Sequence, residues 1–380
     1  MAEISNVVLV LGGYGNFGKR IVENLTDIEH ITILVAGRSL VKAQSLVDEL
    51  TPVARGKLKP CVIDITADDM ESRLKSVAPD MVIHTGGPFQ GQDHRVPQMC
   101  AWVGAHYIDL ADDRRFVCDI TGLDALAKEQ QVLLVSGASS VPGLSSAVID
   151  HYCQQFSVIN NIDIAIAPGN KAERGEATVK GILSYTGHAF SVYKNGQWQD
   201  AFGWMEPRKK DFGDIIGKRW LANVDVPDLE LFPSRYRVTD SVRFQAGLEL
   251  PFLHLSMVAM AYLAKKGWVK NWSPLSKPIV KASNVFMPFG SDNGVMQVLI
   301  SGLDRQKQRK TIKWSLYAPG GIGPYIPTLA AIILARKLLL EQTAADPVFG
   351  ATPCTGLFSL SDFTPYFDKL GIYQKEEAFG

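Results

Sequence analysis

The sequence has 380 residues, with 39 lysines and arginines balanced by 39 aspartates and glutamates, so its formal charge is zero. Apolar types make up 46% of it and charged types 21%, a composition that excludes a disordered chain. Neutrality removes the bulk attraction to phosphate backbones on which nucleic-acid binding rests, and the length predicts two domains.

Cys61, Cys100, Cys118, Cys153 and Cys354 are odd in number, scattered, and form no C-x-x-C pair. That pattern argues against a disulfide framework or zinc knuckle and fits a reducing compartment. The histidines show neither H-E-x-x-H nor H-x-x-x-H spacing, so no metal site is expected. Met1-Ala-Glu-Ile-Ser5 lacks the basic and apolar stretches of a leader. The most apolar run, Leu250–Ala264, is interrupted by Pro251, His254 and Ser256 and falls short of the ~20 residues of a spanning helix. A cytoplasmic protein without a membrane span is expected.

In chain order, Val7–Leu11 is a continuous apolar run, as in a strand buried on both faces. Phe17, Ile21, Val22 and Leu25 then follow helical spacing. A strand at Ile31–Val35, a helix at Lys42–Leu50 and a strand at Cys61–Ile65 come next. Thr66 with Asp69 reads as a capping-box start for a helix whose apolar face is Met70, Leu74 and Val77. Met81–His84 is a strand, Val96, Cys100 and Val103 mark a helix, and Tyr107–Leu110 is a strand. A helix around Leu123–Lys128 and a strand at Val132–Val135 close the series. Such alternation predicts a parallel sheet with right-handed crossovers, the Rossmann-type doubly wound α/β domain.

After Pro142 the pattern changes. Asn161–Ile166, Ala177–Tyr185, Tyr236–Phe244, Val295–Ile300 and Thr311–Tyr317 read as strands, with Ser301–Lys310 as a hairpin tip. These predict a second α+β domain built on a largely antiparallel sheet. Ile326–Leu340 reads as a strongly apolar helix that packs back on the first domain. Residues 1–140, completed by 325–380, form the expected dinucleotide-binding domain, and 141–324 the substrate and dimerisation domain.

Gly13-Tyr14-Gly15-Asn16-Phe17-Gly18 is G-x-G-x-x-G, preceded by Gly12, and it lies between a buried strand and a helix. In that setting the glycines allow a tight turn, close backbone approach to a pyrophosphate, and helix–strand packing, while the helix N-terminus offers N–H groups to the anion. An NAD-selective site carries an acid about 20 residues further on. Here that position holds Arg38 and Ser39 with no acid nearby, a fork and a hydroxyl suited to a 2′-phosphate, so NADP is expected over NAD. Asp64, after the third strand, is placed to reach the adenine edge. Thr85-Gly86-Gly87-Pro88-Phe89 is placed to pass the ribose and nicotinamide. For both, an ordinary cap or turn is an equal reading.

Together these residues resemble the saccharopine dehydrogenase-like family of NADP-dependent oxidoreductases. The match runs through Gly13–Gly18, Ala36-Gly-Arg-Ser39, Gly87-Pro-Phe89, Ala105-His-Tyr-Ile-Asp-Leu-Ala-Asp112 and Val141-Pro-Gly143, with weaker echoes at Arg174–Thr178 and Ala318–Pro324. The stretch around 187–290 carries no matching motif. Where the family commonly continues from Gly-Pro-Phe to Tyr-Gly, this chain has Gln90-Gly-Gln-Asp-His94. The resemblance implies a Rossmann domain completed by the C-terminal segment, an inserted domain shaping substrate site and dimer contact, and hydride transfer at a C–N bond of an amino-acid-like or polyamine-like substrate. Reduction of C=C or C=O bonds and a non-catalytic NADP-sensing role are the alternatives.

Tyr107 and Asp109 share one face of a strand, and Asp112 and Asp113 follow in the loop. Asp112, with Tyr107, is the candidate acid–base group; the competing reading makes Asp112 or Asp113 a helix cap. His94 and His106 lie near the same edge without a visible partner. Arg174 is a candidate clamp for a substrate carboxylate, against a plain surface arginine. Gly320–Pro324 reads as a turn or an anion-holding helix start. Arg208–Lys210 and the basic residues of 305–310 read as solvated loops. Leu250–Trp272 reads as a dimer-interface helix, with a lid or membrane-facing segment as alternatives. Substrate is expected to enter between the domains.

Overall fold

Val8, Leu9, Val10 and Leu11 are at most 1% exposed, because their strand, β1 (Asn6–Leu11), runs down the middle of a seven-stranded sheet. The computed structural model describes residues 6–340 and 348–380. Met1–Ser5, read above for a leader, and 341–347, inside the expected completing segment, lie outside the described residues. The chain divides into two units, Met1–Gly143 with Pro327–Thr355, and Leu144–Ile326 with Gly356–Gly380.

In the first unit β1 pairs in parallel with β2 (Ile31–Gly37) on one side and β4 (Met81–His84) on the other. Beyond β2 lies β3 (Lys57–Val62), and beyond β4 come β5 (His106–Asp109), β6 (Leu133–Ser136) and a late strand, Gly350–Pro353. Every pairing is parallel. The order reverses direction between β1 and β4, and ligands of such sheets bind at that switch point, outside the carboxyl ends of the strands.

Helix α1 (Asn16–Leu25) buries Ile21, Val22 and Leu25, and α2 (Leu40–Leu50) buries Ala43 and Val47. On the opposite face α3 (Met70–Val77), α4 (Arg95–Trp102) and α6 (Asp124–Glu129) bring Met70, Leu74, Cys100 and Ala127 against Leu9, Val82 and Tyr107, with the short α5 (Arg114–Cys118) before α6.

The third strand and the helix after it depart furthest from the sequence reading. The third strand begins four residues earlier than the apolar run Cys61–Ile65, because β3 is an edge strand with alternating exposure and tolerates Pro60. Thr66 does not cap α3; it donates to Asp64, and the helix starts at Met70 after Asp69.

The segment expected to complete this unit divides. The helix Ile326–Leu340 and the strand Gly350–Pro353 do so, with Arg336 paired to Asp27 at 2.7 Å. Residues 356–380 go to the second unit, where Tyr373–Phe379 pairs with another sheet. Residues Gly323–Leu340 have the length and mean hydropathy (18 residues, 1.3) of a membrane-crossing helix, but 56% of the span is buried in the protein, as in a core helix.

The second unit contains β7 (Val158–Ala167), the hairpin β8 (Ala189–Lys194) and β9 (Gln197–Phe202), then β10 (Arg208–Asp211), β11 (Lys218–Asn223), β12 (Ser241–Ala246), β13 (Gly294–Leu303) and β14 (Arg309–Ala318). Its main sheet runs β10-β11-β12-β7-β13-β14 and then Tyr373–Phe379, with β12 and β7 its one parallel pair and the rest antiparallel. The predicted α+β architecture is thus present. Its helices are α7 (Ser145–Cys153), α8 (Glu176–Tyr185), α9 (Asp228–Arg235), α10 (Pro251–Lys265) and α11 (Ser276–Asn284).

Here sequence reading erred more often. Ala177–Tyr185, expected as a strand, is helix α8, whose Gly181 and Leu183 are buried; tertiary packing overrides the β-branched Thr178 and Val179. The strand expected from Tyr236 starts at Ser241, since Tyr236 ends α9. The hairpin tip narrows to Asp304–Gln308, because Leu303 already pairs with Arg309. Arg208–Lys210 is no solvated loop but lies in β10, where Arg208 clamps Asp163 at 2.7 Å. Gly320 and Gly321 take positive φ in a turn, the blander of the two readings offered for that stretch.

Candidate active site

Three loops meet at the switch point of the first sheet. The glycine loop leaves β1 through Gly12 at φ 75°, and Thr85 locks it from beneath, its hydroxyl donating to Leu11 O at 2.8 Å. Gly13 N donates to Ala36 O at 2.9 Å. At Gly18 a Cβ would overlap the Gly12 carbonyl oxygen and lie 2.8 Å from Gly13 Cα, so helix and loop touch backbone to backbone. Gly15 occupies the N-cap of α1 with no side-chain cap, and no acid lies in the first turn. The helix therefore turns unopposed N–H groups outward with its positive dipole end, the arrangement that holds an anion. Arg20, which the sequence reading passed over, folds back onto Asn16 and adds a cation beside this end.

Tyr14 ties the loop to the end of β2. Its ring lies over Gly37, where a Cβ would come within 2.6 Å, and its hydroxyl accepts from Ser39 N at 2.9 Å. Ser39 caps α2 by accepting from Lys42 N, leaving its own hydroxyl proton to donate. Arg38 is exposed, and no hydrogen bond or ion pair holds it among the described residues. Asp64 turns its carboxylate onto Thr66, whose amide and hydroxyl lie at 3.0 and 2.8 Å and hold its pKa below the usual range.

The Thr85–Phe89 loop follows β4. Gln92 fastens it, donating to Gly86 O at 3.0 Å and to Pro88 O at 2.7 Å. Phe89 is turned inward, 5% exposed, against His84 and Phe116. Its ring belongs to the packing beneath the loop.

Beyond β5, the two acids separate. Asp113 is the helix cap, accepting from Phe116 N at 2.8 Å. Asp112 makes no such cap; its Oδ1 accepts from Gln90 Nε2 at 3.0 Å, and desolvation raises its pKa. Gln90 stands where the family text departs, and the departure was its only signal. Tyr107, the other candidate acid–base group, is fully buried with its hydroxyl 2.9 Å from His84 Nδ1, so that hydroxyl is engaged inside the unit and not open to solvent. His94 is spent on Phe116 O at 2.7 Å and His106 on Leu133 N at 3.0 Å. In the second unit, Arg174 donates to Asn170 O at 2.8 Å, burial lowers its pKa, and no acid pairs with it among the described residues.

Asp109 is 0% exposed, and burial pushes its pKa up to about 6 although Ala111 N, Ser136 Oγ and Gly137 N all donate to its Oδ1. A carboxyl whose folded pKa is raised favours folding below its unfolded pKa, and that contribution disappears as pH rises through the folded value. From about 4 to about 6 this amounts to about 3 kcal/mol. Asp109→Asn is therefore expected to gain stability relative to wild type between pH 4 and pH 8 by up to about 3 kcal/mol, read from denaturant unfolding at each pH. A constant difference across that range would contradict the burial argument.

Residues 8–136 match the family model described as the saccharopine dehydrogenase NADP binding domain. No curated protein matches the sequence significantly. Among solved structures, the apo form of a saccharopine dehydrogenase (L-Glu forming) from Saccharomyces cerevisiae is 14% identical and superposes with a TM-score of 0.69, covering 99% of this chain and 100% of that one. An amine dehydrogenase from Mycobacterium smegmatis is 11% identical with a TM-score of 0.49, covering 93% of this chain and 96% of that one. The first of these shows the shared fold. The matched domain is that of an oxidoreductase working with a nicotinamide dinucleotide.

Proposed function

We propose that this chain, saccharopine dehydrogenase-like with its NADP-binding domain at residues 8–136, is an NADP-dependent enzyme that transfers hydride at a C–N bond of an amino-acid-like or polyamine-like substrate. The observation that carries the reading is the open N-terminus of α1 under Gly13–Gly18, with Arg38, exposed and held by no hydrogen bond among the described residues, just past the end of β2. The pyrophosphate rests on the backbone of Gly13–Gly18, and the 2′-phosphate on Arg38 and Ser39. The bound cofactor supplies the hydride. Gly86, Gly87 and Pro88 border its nicotinamide end, and Asp112 handles the proton of the substrate nitrogen. Arg174, a half-buried guanidinium without an acid partner among the described residues, is the clamp for a substrate carboxylate.

The test is turnover: purified protein with NADPH is mixed with a panel of oxo acids and amines, and NADPH absorbance is followed. Consumption with oxo acid plus amine supports the reading. Consumption only with isolated carbonyl or enoyl compounds replaces the C–N bond by C=O or C=C. Tight binding with no turnover on any of them makes the protein a sensor.

Arg38→Ala is expected to weaken NADPH binding by about 10- to 100-fold, the loss of one charged hydrogen bond of about 1.5–3 kcal/mol, and to leave NADH binding unchanged. Equal losses for both nucleotides would remove the NADP assignment. The free thiols support a cytoplasmic location. The exposed Phe252, Leu255 and Tyr262 of α10 support a homodimer, which sedimentation of the purified protein would test.

A further inference from the structure

The carboxylate that organises the loop around Arg174 does not serve that arginine. Glu249 Oε2 accepts from Asn170 N at 2.7 Å and from Ser291 N at 2.9 Å. Its Oε1 accepts from Ser291 Oγ at 2.9 Å and from Arg219 at 2.8 Å, and the Arg219 charge is its ion-pair partner. One acid, its side chain 10% exposed, thus joins three segments of the second unit: the loop after β7, the loop before β13 and the start of β11.

Asn170, 2% exposed, carries this knot to Arg174. All of its polar groups are engaged. Its backbone N–H goes to Glu249, and Nδ2 donates at 2.6 Å to both Phe286 O and Phe289 O. Its carbonyl oxygen and its Oδ1 both accept from Arg174 Nη2, the first at 2.8 Å. With both Nδ2 protons given to carbonyls, the side-chain amide cannot flip without setting oxygen against oxygen. Gly290, at φ 103°, closes over it; a Cβ there would lie 2.9 Å from Asn170 Cβ.

Two arginines therefore share one acid, and that acid faces Arg219. Arg174 is held, among the described residues, only by the two neutral oxygens of Asn170, while burial disfavours its charged form. A guanidinium oriented by neutral oxygens keeps its charge for a ligand, with Nη1 and Nε as the remaining donors. A carboxylate then meets a cation whose geometry is already set, so less freedom is lost on binding.

We propose that Asn170 is a positioning residue: held by Glu249 and by the Phe286 and Phe289 carbonyls, it fixes the Arg174 guanidinium where that cation selects a substrate bearing a free carboxylate. The proposal deepens, and rests on, the reading of Arg174 as the carboxylate clamp.

The test compares an oxo acid consumed with an amine and the primary amide of the same acid. The proteins are wild type, Asn170→Ala, Arg174→Ala, the double variant and Arg174→Lys. The readout is acid preference, the ratio of kcat/KM for the acid to that for the amide; a general loss of folded protein lowers both and leaves the ratio unchanged. Asn170→Ala is expected to lower the ratio about 10-fold, through KM for the acid rather than kcat. In the Arg174→Ala background the same change is expected to lower it no further, because the two residues act as one. Arg174→Lys leaves the bonds of Asn170 to Glu249, Phe286 and Phe289 in place, so it remains informative where Asn170→Ala folds poorly. Its flexible ammonium cannot reproduce the set geometry, and it is expected to lose the preference as well. Wild-type preference in folded Asn170→Ala or in Arg174→Lys, or an undiminished further loss in the double variant, overturns the positioning role. If wild type consumes no oxo acid or shows no preference, or if Arg174→Ala retains it, the clamp reading itself fails and the proposal falls with it.

Discussion

Asp112→Asn is expected to lower kcat by about 10²- to 10⁴-fold, the usual contribution of a positioned acid–base group, while the Kd for NADPH stays at its wild-type value. The expectation follows from a contrast between neighbours. Asp113 spends its carboxylate on Phe116 N as a helix cap, whereas the side-chain partner of Asp112 is the Gln90 amide at 3.0 Å, and among the described residues it caps no following helix. Desolvation raises the pKa of Asp112, which brings a carboxyl from its ordinary acidic range towards the pH at which proton transfer to and from a substrate amine is fastest. Asparagine preserves shape and still offers an oxygen to Gln90, but it neither accepts nor releases a proton. A structural role predicts little change in kcat and a loss of stability; a catalytic role predicts the reverse. Steady-state turnover with whichever member of the oxo acid and amine panel consumes NADPH, set beside a fluorescence titration of NADPH, distinguishes them. A kcat within a fewfold of wild type would remove Asp112 from the reaction.

The parts of this fold that were legible are those whose signal is local. The apolar run of β1, the glycines after it and the helical spacing of Phe17, Ile21, Val22 and Leu25 sit within one stretch of chain, and the structure joins them as the pattern implies. Helix Ile326–Leu340 was legible for the same reason. The second sheet was harder because its strands are short, charged or near an edge: the Arg-Lys-Lys-Asp of β10 takes its place only because Asp163, on a distant strand, supplies the counter-charge. In α8, Thr178, Val179 and Gly181 argue against a helix one by one, and only the burial of Gly181 and Leu183 decides it. The site shows the same division. Tyr107 and Asp109 were seen to share a face, but their surroundings depend on the register with β4, which sets His84 beside Asp109 and buries the tyrosine against it. Pairing between strands more than 20 residues apart leaves no periodic trace in either strand.

Gly18→Ala is expected to weaken NADPH binding by about 100-fold or more and to destabilise the first unit by at least about 1–3 kcal/mol, the range for forcing an extra methyl into a filled space. The obstruction is backbone, not side chain. An added Cβ would overlap the carbonyl oxygen of Gly12 and crowd Gly13 Cα at 2.8 Å, and neither atom has a rotamer by which to escape. Gly12 is itself held from below, at φ 75° with Thr85 bonded to Leu11 O at 2.8 Å, so relief requires α1 to move off the loop. That movement withdraws the N–H groups of the first turn from the place where the phosphates rest, and affinity falls together with stability. Gly122→Ala is the matched control: nothing lies within 4 Å of its added methyl, and it is expected to leave both quantities unchanged. Unfolding curves and NADPH titrations on the two variants give the comparison. If Gly18→Ala loses stability yet binds NADPH as wild type does, the phosphates do not rest on this helix end, and the contact of Gly18 with Gly12 is packing alone.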